Sequence, residues 1–158
     1  MFRLFILLSL FWPAIGTAQG LQLAFSDVSD SANAPLEMSA DAMAIDQEAG
    51  TAMMTGNVII IQGQLRLTAP KISVSYGDGG EVQDILAEGG VTFVTAAEEV
   101  EAQTARYRPT DDSMVLTGDV LLVQGPSAVS AETMVINLAS GTAQLEGRVR
   151  TVLQPSSQ

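Results

Sequence analysis

The sequence predicts an all-β domain in which two sheets face each other across an apolar interior. Apolar side chains alternate with small or polar ones at a period of two residues, which is the spacing along one face of a strand. A pattern of about 29 residues recurs four times between residues 36 and 153. No segment has a convincing helical period, so each repeat unit is expected to supply either two bent antiparallel strands or four short ones.

The first 35 residues precede this domain and divide into two segments. Arg3, the apolar run of residues 4–12 and the small residues 16–18 predict a signal peptide over residues 1–18, cleaved after Ala18. The apolar run is too short to span a bilayer, and an uncleaved membrane anchor is the alternative. Residues 19–35 are an expected N-terminal arm, in which residues 21–25 alternate and form either a short edge strand or a flexible linker.

Four glycines mark the repeat, and each is followed two residues later by a valine. The first three stand 13 residues before the next of four alanines, and this constant spacing indicates one repeated unit. Turn-forming sequences separate the alternating segments at corresponding places, residues 47–50, 77–80, 109–112 and 139–141. The domain is expected to span residues 36–153, followed by a tail over residues 154–158. The glycine and valine pairs are Gly56 and Val58, Gly89 and Val91, Gly118 and Val120, and Gly147 and Val149, and the alanines are Ala40, Ala69, Ala102 and Ala131.

The phase of the alternation changes near each alanine. Ile72 and Val74 follow Ala69 by three and five residues, whereas Leu67 precedes it by two and has the opposite parity. One extra residue at a bulge or a sheet corner reverses the direction of the side chains that follow. We therefore expect the chain to bend near the alanine of each unit, with apolar residues facing inward on both sides of the bend.

The charge and the residue inventory exclude several classes of function. Seven Lys and Arg residues against 18 Asp and Glu give a formal net charge of −11, which disfavours nucleic-acid binding. The sequence has no cysteine and no histidine, which excludes disulfides, thiolate nucleophiles, Cys/His zinc sites and imidazole bases. The acidic residues 98–101 and 111–112 lack the spacing of a calcium loop or a glycosidase pair. We expect neither an enzyme nor a cofactor.

The stretch of residues 56–69, GNVIIIQGQLRLTA, has echoes at residues 118–125 and at Gly147. It resembles the OstA-like domain of lipopolysaccharide transport proteins, and the resemblance covers residues 36–153. The resemblance implies an open β-jellyroll of antiparallel strands whose interior holds lipid A acyl chains. It also implies a periplasmic bridge between an inner-membrane transporter and an outer-membrane translocon. The implied partners are lipopolysaccharide, the transporter subunit LptC, the translocon subunit LptD and further copies of the chain joined head to tail.

The inward apolar positions of the repeat are the expected lipid-binding residues of such a groove. The acidic charge should repel lipid phosphates, which favours binding through the acyl chains. Two alternatives remain open: a membrane-anchored subunit similar to LptC, and a structural β-repeat module whose methionines fill a closed core. The expected groove residues are Met43, Ile45, Met54, Val58, Ile60, Ile72, Val74, Val91, Phe93, Tyr107, Leu116, Val120, Leu122, Met134, Ile136, Leu145 and Val149.

Overall fold

The structure, a computed structural model, describes residues 23–24 and 34–153, and almost all of this part is antiparallel β-structure. A single 3₁₀ turn in the described part, Pro109–Asp111, connects two of the strands. The predicted signal peptide, the tail and most of the predicted arm lie outside the described residues. The strands are β1 (Leu23–Ala24), β2 (Leu36–Ser39), β3 (Ala42–Asp46), β4 (Thr51–Gln62), β5 (Leu65–Tyr76), β6 (Val82–Val94), β7 (Glu98–Arg108), β8 (Ser113–Gln124), β9 (Ser127–Asn137), β10 (Thr142–Glu146) and β11 (Arg150–Val152).

These strands form one antiparallel sheet in which neighbours in space are mostly neighbours in the sequence. Six long strands, β4 to β9, have 11–13 residues each and make up its middle. At one end of the sheet β2 and β3 pair with the two halves of β4, and at the other end β11 and β10 pair with the two halves of β9. The backbone of β1, within the predicted arm, pairs with the outer edge of β10.

Each long strand changes register near its middle. The ladder between β4 and β5 breaks between the pairs Thr55–Lys71 and Val58–Ala69, and each following pair of long strands breaks at the equivalent place. At most of these breaks two residues face one on the neighbouring strand, which is a β-bulge. The breaks fall at the glycines and alanines of the repeat, which confirms the predicted change of phase. We call these positions the bend row: Gly56 and Asn57, Gly89 and Gly90, Gly118 and Asp119, Gly147 and Arg148, and opposite them Asp41, Pro70, Gln103 and Glu132.

The backbone conformation of the bend row explains why glycine recurs there. Gly56 and Asn57 have φ values of 76° and 46°, and Gly118 and Asp119 have values of 82° and 48°. Such left-handed conformations cost an L-residue about 1–2 kcal/mol, and glycine avoids that cost. Two consecutive left-handed residues therefore need at least one glycine, which each unit of the repeat supplies.

The bend row divides the sheet into two half-sheets that face each other. Half-sheet A contains β3, β10 and residues 51–55, 71–76, 82–88, 104–108, 113–117 and 133–137. Half-sheet B contains β2, β11 and residues 58–62, 65–69, 91–94, 98–102, 120–124 and 127–131. Ile72 of half-sheet A and Val100 of half-sheet B are both fully buried, so the core lies between the two. The strands run through the bend, and the expected pair of sheets is one folded sheet.

Candidate functional site

Strand register brings the inward apolar residues of successive strands into continuous rows. Because all strand pairs are antiparallel, residues directly opposite each other stand on the same face of the sheet. Two rows cross half-sheet A, and a third crosses half-sheet B two residues beyond Val58, Val91 and Val120, which stand beside the bend. Together they form an inward-facing wall along the whole sheet. The rows of half-sheet A are Met43, Met54, Ile72, Ala87, Ala105, Leu116, Met134 and Leu145, and Ile45, Ala52, Val74, Ile85, Tyr107, Met114, Ile136 and Ala143. The row of half-sheet B is Met38, Ile60, Leu67, Phe93, Val100, Leu122, Val129 and Thr151.

A cavity of about 220 Å³ lies between the two half-sheets. Leu36 on its rim is 46% exposed, so the cavity reaches the solvent at the β2 end of the sheet. Gln62 contributes a side-chain amide, and the other lining residues are apolar or aromatic. Half-sheet B supplies Leu36, Ile60, Gln62, Leu65, Leu67 and Phe93, and half-sheet A together with the turns beside it supplies Val82, Ile85, Tyr107, Pro109, Met114 and Leu138.

The predicted groove residues fall into three groups by burial. Most of them pack in the core beside the bend: Met54, Val58, Ile60, Ile72, Val74, Val91, Phe93, Leu116, Val120, Leu122, Met134 and Ile136 are buried. Tyr107 and Leu145 are half-buried. Met43, Ile45 and Val149 are 53%, 67% and 50% exposed, because they lie at the two ends of the sheet where no further strand covers them.

Only three predicted groove residues, Ile60, Phe93 and Tyr107, line the cavity. The predicted set omits Ile85 and Met114, which stand four residues before the glycines Gly89 and Gly118 and point inward. Extending the alternation two residues further from each glycine would have found both. Pro109 and Leu138 lie outside regular strands and have no such periodic signal.

Tyr107, like Gln62, is a polar residue among the mostly apolar side chains that line the cavity. Burial raises the pKa of this phenol above its ordinary value of 10.0, and the negative charge of Asp112 raises it further. The hydroxyl therefore stays neutral at physiological pH. A neutral phenol in an apolar cavity can donate a hydrogen bond to an ester or amide oxygen without adding a charge there.

A buried polar cluster lies at the turn between β6 and β7. Thr95 and Glu98 are both buried, and the Thr95 hydroxyl donates to Glu98 Oε2. Gln124 Nε2 donates to Glu98 Oε1 at 3.0 Å, and the Glu98 amide donates to Thr95 Oγ1 at 3.0 Å. These bonds satisfy the carboxylate and join the turn to β8, so the cluster has a structural explanation.

The basic residues of the outer surface are mostly paired with carboxylates. Lys71 Nζ lies 3.0 Å from Glu88 Oε2, and Arg106 Nε lies 2.7 Å from Asp84 Oδ1. The Asp84 carboxylate raises the pKa of the Arg106 guanidinium through a hydrogen bond and its charge. Paired guanidinium and ammonium groups on an outer face do not form a phosphate site facing the groove.

No group of three or more Asp and Glu side chains within residues 34–153 is arranged to hold a metal ion. Over the same part of the chain, no helix combines the length and the apolar character needed to cross a membrane.

A folded antiparallel sheet built from repeated bent strands around an apolar interior defines an OstA-like β-sheet protein. The chain belongs to the family described as LptA/(LptD N-terminal domain) LPS transport protein, whose model matches residues 37–142.

Several known proteins are similar to the chain over most of its length. The lipopolysaccharide export system protein LptA of Escherichia coli (strain K12) is 26% identical over 140 residues, covering 82% of this chain and 76% of that protein. An uncharacterized protein of Rhizobium meliloti (strain 1021) is 28% identical over 152 residues, covering 89% of this chain and 78% of that protein. Among solved structures, LptH of Pseudomonas aeruginosa superposes with a TM-score of 0.71 at 18% identity, covering 79% of this chain and 99% of that one. LptH is the LptA homologous periplasmic component of the conserved lipopolysaccharide transport device of that organism. This last likeness concerns the fold.

Proposed function

We propose that the protein is a periplasmic lipopolysaccharide-binding bridge, which carries the lipid from an inner-membrane transporter to an outer-membrane translocon. The observation that carries this proposal is the apolar cavity between the half-sheets, from which apolar rows continue to both ends of the sheet. Membership of the lipopolysaccharide transport family supports the class of lipid. The acyl chains lie between the half-sheets, and the anionic head group stays outside.

Binding through acyl chains needs no catalytic group. Each methylene removed from water contributes about 0.8 kcal/mol, so the binding free energy grows with the length of acyl chain that the groove covers. The cavity volume of about 220 Å³ is below the roughly 300–1,000 Å³ of pockets that enclose a drug-sized ligand. A lipid with several acyl chains therefore enters only if the half-sheets move apart. The cavity is the position from which such widening begins, because apolar side chains of both half-sheets already line it.

Passage along the sheet follows from the similarity of the rows. Successive strands present side chains of the same apolar character, and the rows of half-sheet A reach from Met43 and Ile45 at one end to Ala143 and Leu145 at the other. A chain that moves by one strand exchanges one apolar contact for another of similar strength. The lipid therefore finds no single deep minimum along the protein.

The partners of this bridge meet the two ends of the sheet. Unpaired strand edges accept a strand from another protein. LptC at the inner membrane, LptD at the outer membrane and further copies of the chain, joined head to tail, are the proposed partners. The signal peptide predicted over residues 1–18 would place the mature chain in the periplasm, where these partners are found.

Mass spectrometry of lipid that co-purifies with the protein from its native envelope tests the proposal. We expect lipid A species to accompany the wild type. The variant Leu65→Asp puts a carboxylate into the cavity lining and should reduce the bound lipid at least about tenfold, because a charge in apolar surroundings is strongly disfavoured. Its matched control is Ile61→Asp, since Ile61 is also half-buried but lies on the outer face beside Arg66. The control should load as the wild type does.

Urea unfolding of both variants shows whether each one folds. A wild type free of lipid contradicts the proposal and favours the structural β-repeat module. A folded Leu65→Asp variant that carries as much lipid as the control contradicts the assignment of the cavity.

A further inference from the structure

The two ends of the sheet expose apolar side chains on the inward face of the fold. Ile45 and Met43 are the most exposed at the β2 and β3 end, and Val149 and Leu153 are 50% and 66% exposed at the other end. Elsewhere in the described residues, the large apolar side chains of the inward face are buried or half-buried. Each end therefore presents the apolar inward face that a strand inside the sheet would expose if its neighbouring strand were removed.

The internal repeat supplies the register in which two such ends fit. Within the chain, the valine of each glycine–valine pair stands opposite the alanine of the next unit, as in the pairs Val58–Ala69, Val91–Ala102 and Val120–Ala131. Val149 is the fourth valine and Ala40 is the first alanine, and they lie at opposite ends of the sheet. The same rule places Val149 of one copy opposite Ala40 of a second copy.

This register places the inward residues of the two ends opposite one another in pairs. In half-sheet A the exposed Met43 and Ile45 of the second copy lie opposite the apolar Leu145 and Ala143 of the first, as apolar residues of neighbouring strands do inside the molecule. Glu146 stands opposite Ala42 and so meets no carboxylate directly. The resulting pairs, naming the first copy first, are Leu145 with Met43, Ala143 with Ile45, Thr151 with Met38, and Leu153 with Leu36.

The bend row adds a pair of opposite charges to this fit. Inside the molecule the residue after each alanine lies opposite the glycine bulge of the preceding strand, as Pro70 does at Gly56 and Asn57. At the joint between copies, the same rule places Asp41 of the second copy opposite Gly147 and Arg148. The three internal equivalents pair Asn57 with Pro70, Gly90 with Gln103, and Asp119 with Glu132, and none of them joins opposite charges.

Both charged groups are held at the edges where the joint needs them. Asp41 Oδ2 accepts a hydrogen bond of 2.9 Å from Asn57 Nδ2, and the Asp41 amide donates to the Gly56 carbonyl at 2.9 Å. The Arg148 guanidinium lies 2.6 Å from Glu132 Oε1, and its side chain is still 87% exposed. Arg148 therefore keeps donors free for a second carboxylate.

From this fit we infer that the protein joins end to end in the register of its own repeat, with Asp41 of each copy paired to Arg148 of its neighbour. The inference rests on the proposed function, which includes self-association, and adds the residues that select its register. In this register Ile45 and Asp46 of the second copy take the places opposite Ala143 and Thr142 that β1 occupies in the single chain. Joining therefore displaces β1 from the edge of β10.

Charge reversal tests the pair because the two single variants complement each other. Arg148→Asp and Asp41→Arg each place like charges at the joint and should weaken self-association at least about tenfold. In an equimolar mixture, a filament in which the two variants alternate has opposite charges at every joint. Association should therefore return to the level of the wild type. Arg66→Asp is the control, since Arg66 lies exposed on β5 away from both ends. Sedimentation velocity over a range of protein concentrations measures the association.

Circular dichroism and urea unfolding show that each variant folds before it is compared. A wild type that stays monomeric at all concentrations overturns the inference, as does a mixture of folded variants that associates no better than either variant alone. Bound lipid is measured in the same samples. Both reversed positions lie outside the cavity, so the variants should carry as much lipid as the wild type. A wild type without lipid contradicts the proposed function, whereas the joint is judged by sedimentation alone.

Discussion

The glycines of the bend row make room for a side chain of the neighbouring strand. A Cβ atom added to Gly118 would lie 2.8 Å from the Cβ and Cγ atoms of Gln103, closer than real Cβ contacts allow. Gly56 and Gly147 have the same relation to the side chains of Asp41 and Glu132. Glycine is thus required at this position both for its left-handed backbone and for the missing side chain.

The variant Gly118→Ala separates these two requirements when compared with Gly80→Ala. Gly80 has nearly the same φ, 81° against 82°, but no atom lies within 4 Å of a Cβ added there. We expect Gly80→Ala to lower the free energy of unfolding by about 1–2 kcal/mol, the cost of the left-handed backbone. Gly118→Ala should lose a further 1–3 kcal/mol or so for the overlap with Gln103. Urea unfolding of the two variants measures both values, and equal losses would contradict the steric requirement.

Tyr107 gives the folded protein a dependence on alkaline pH. Because its pKa is raised above 10.0 by burial, the folded protein holds the phenolic proton more tightly than the unfolded chain does. This contribution to stability is present below pH 10 and is lost as the pH rises through the folded pKa. Tyr107→Phe removes the titrating group, so we expect its stability to fall less steeply above pH 10. Urea unfolding at several alkaline pH values tests this expectation, and parallel curves for the two proteins would count against it.

For individual residues, the sequence predicts the glycine of each bend-row contact but not the residue that packs against it. The glycine recurs in every unit because its backbone has no substitute. The opposing residue varies among Asp41, Pro70, Gln103 and Glu132, since the space above a glycine accepts any of these side chains. A position whose residue type is free carries no repeated signal.

Among the strands, β5 shows how the bulge permits a proline in the middle of a sheet. Proline has no amide hydrogen, so it interrupts the ladder of a central strand. Pro70 falls where the register of β5 shifts against both neighbours, β4 and β6, so it does not replace a paired residue. Its ring also packs against Gly89, where a Cβ atom would be 3.3 Å from Pro70 Cγ.

We therefore expect Pro70→Gln to change the free energy of unfolding by less than about 0.5 kcal/mol, because Gln103 occupies the equivalent place in the next unit. Ser73→Pro, three residues further along the strand, should cost about 3 kcal/mol or more, because Ser73 pairs with Met53 and with Leu86. Thermal and urea unfolding compare the two variants. If both substitutions cost the same, the bulge gives Pro70 no special tolerance.

Alternation identified the buried side of every long strand but not the continuity of the sheet. Leu67 and Ile72 are both buried although their parity differs, as the change of phase predicted. A side-chain pattern with a change of phase is the same for one bent strand and for two strands in separate sheets. Backbone hydrogen bonds decide between them, and they continue on both sides of the bend. The alternation therefore leaves this choice open.

For the whole molecule, the cavity depends on how the half-sheets are offset. Residues of β2, β4, β5 and β6 in half-sheet B face residues of β6, β7 and β8 in half-sheet A. Adjacent strands of a sheet are rotated relative to one another, and this twist accumulates over many strands into an offset between the half-sheets. Such an offset leaves no local pattern in the sequence. For that reason the inward rows were predictable, whereas the few residues that line open space between them were not.

Removing one complete repeat should shorten the sheet without destroying it. Deletion of residues 89–117 joins Glu88 to Gly118, so that the first half of β6 continues into the second half of β8 in the same phase. We expect a folded protein with a smaller urea m-value and lower stability, since each repeat contacts mainly its neighbours. Deletion of residues 89–103 alone removes the β6 to β7 turn and should abolish cooperative unfolding. Circular dichroism and urea unfolding distinguish the outcomes, and an unfolded 89–117 deletion would contradict the repeat as the unit of the fold.

The order of strands in the sheet also bears on how the chain reaches its folded state. From β4 to β10 each strand pairs with the one synthesised just before it, so closing each hairpin joins residues that are near in sequence. Local contacts of this kind favour fast folding, in contrast to most all-β proteins, whose distant pairings make them slow. Folding can thus advance strand by strand as the chain emerges, with little unpaired apolar surface waiting for a partner. Only β1 must wait for β10, and its pairing is therefore among the last to form.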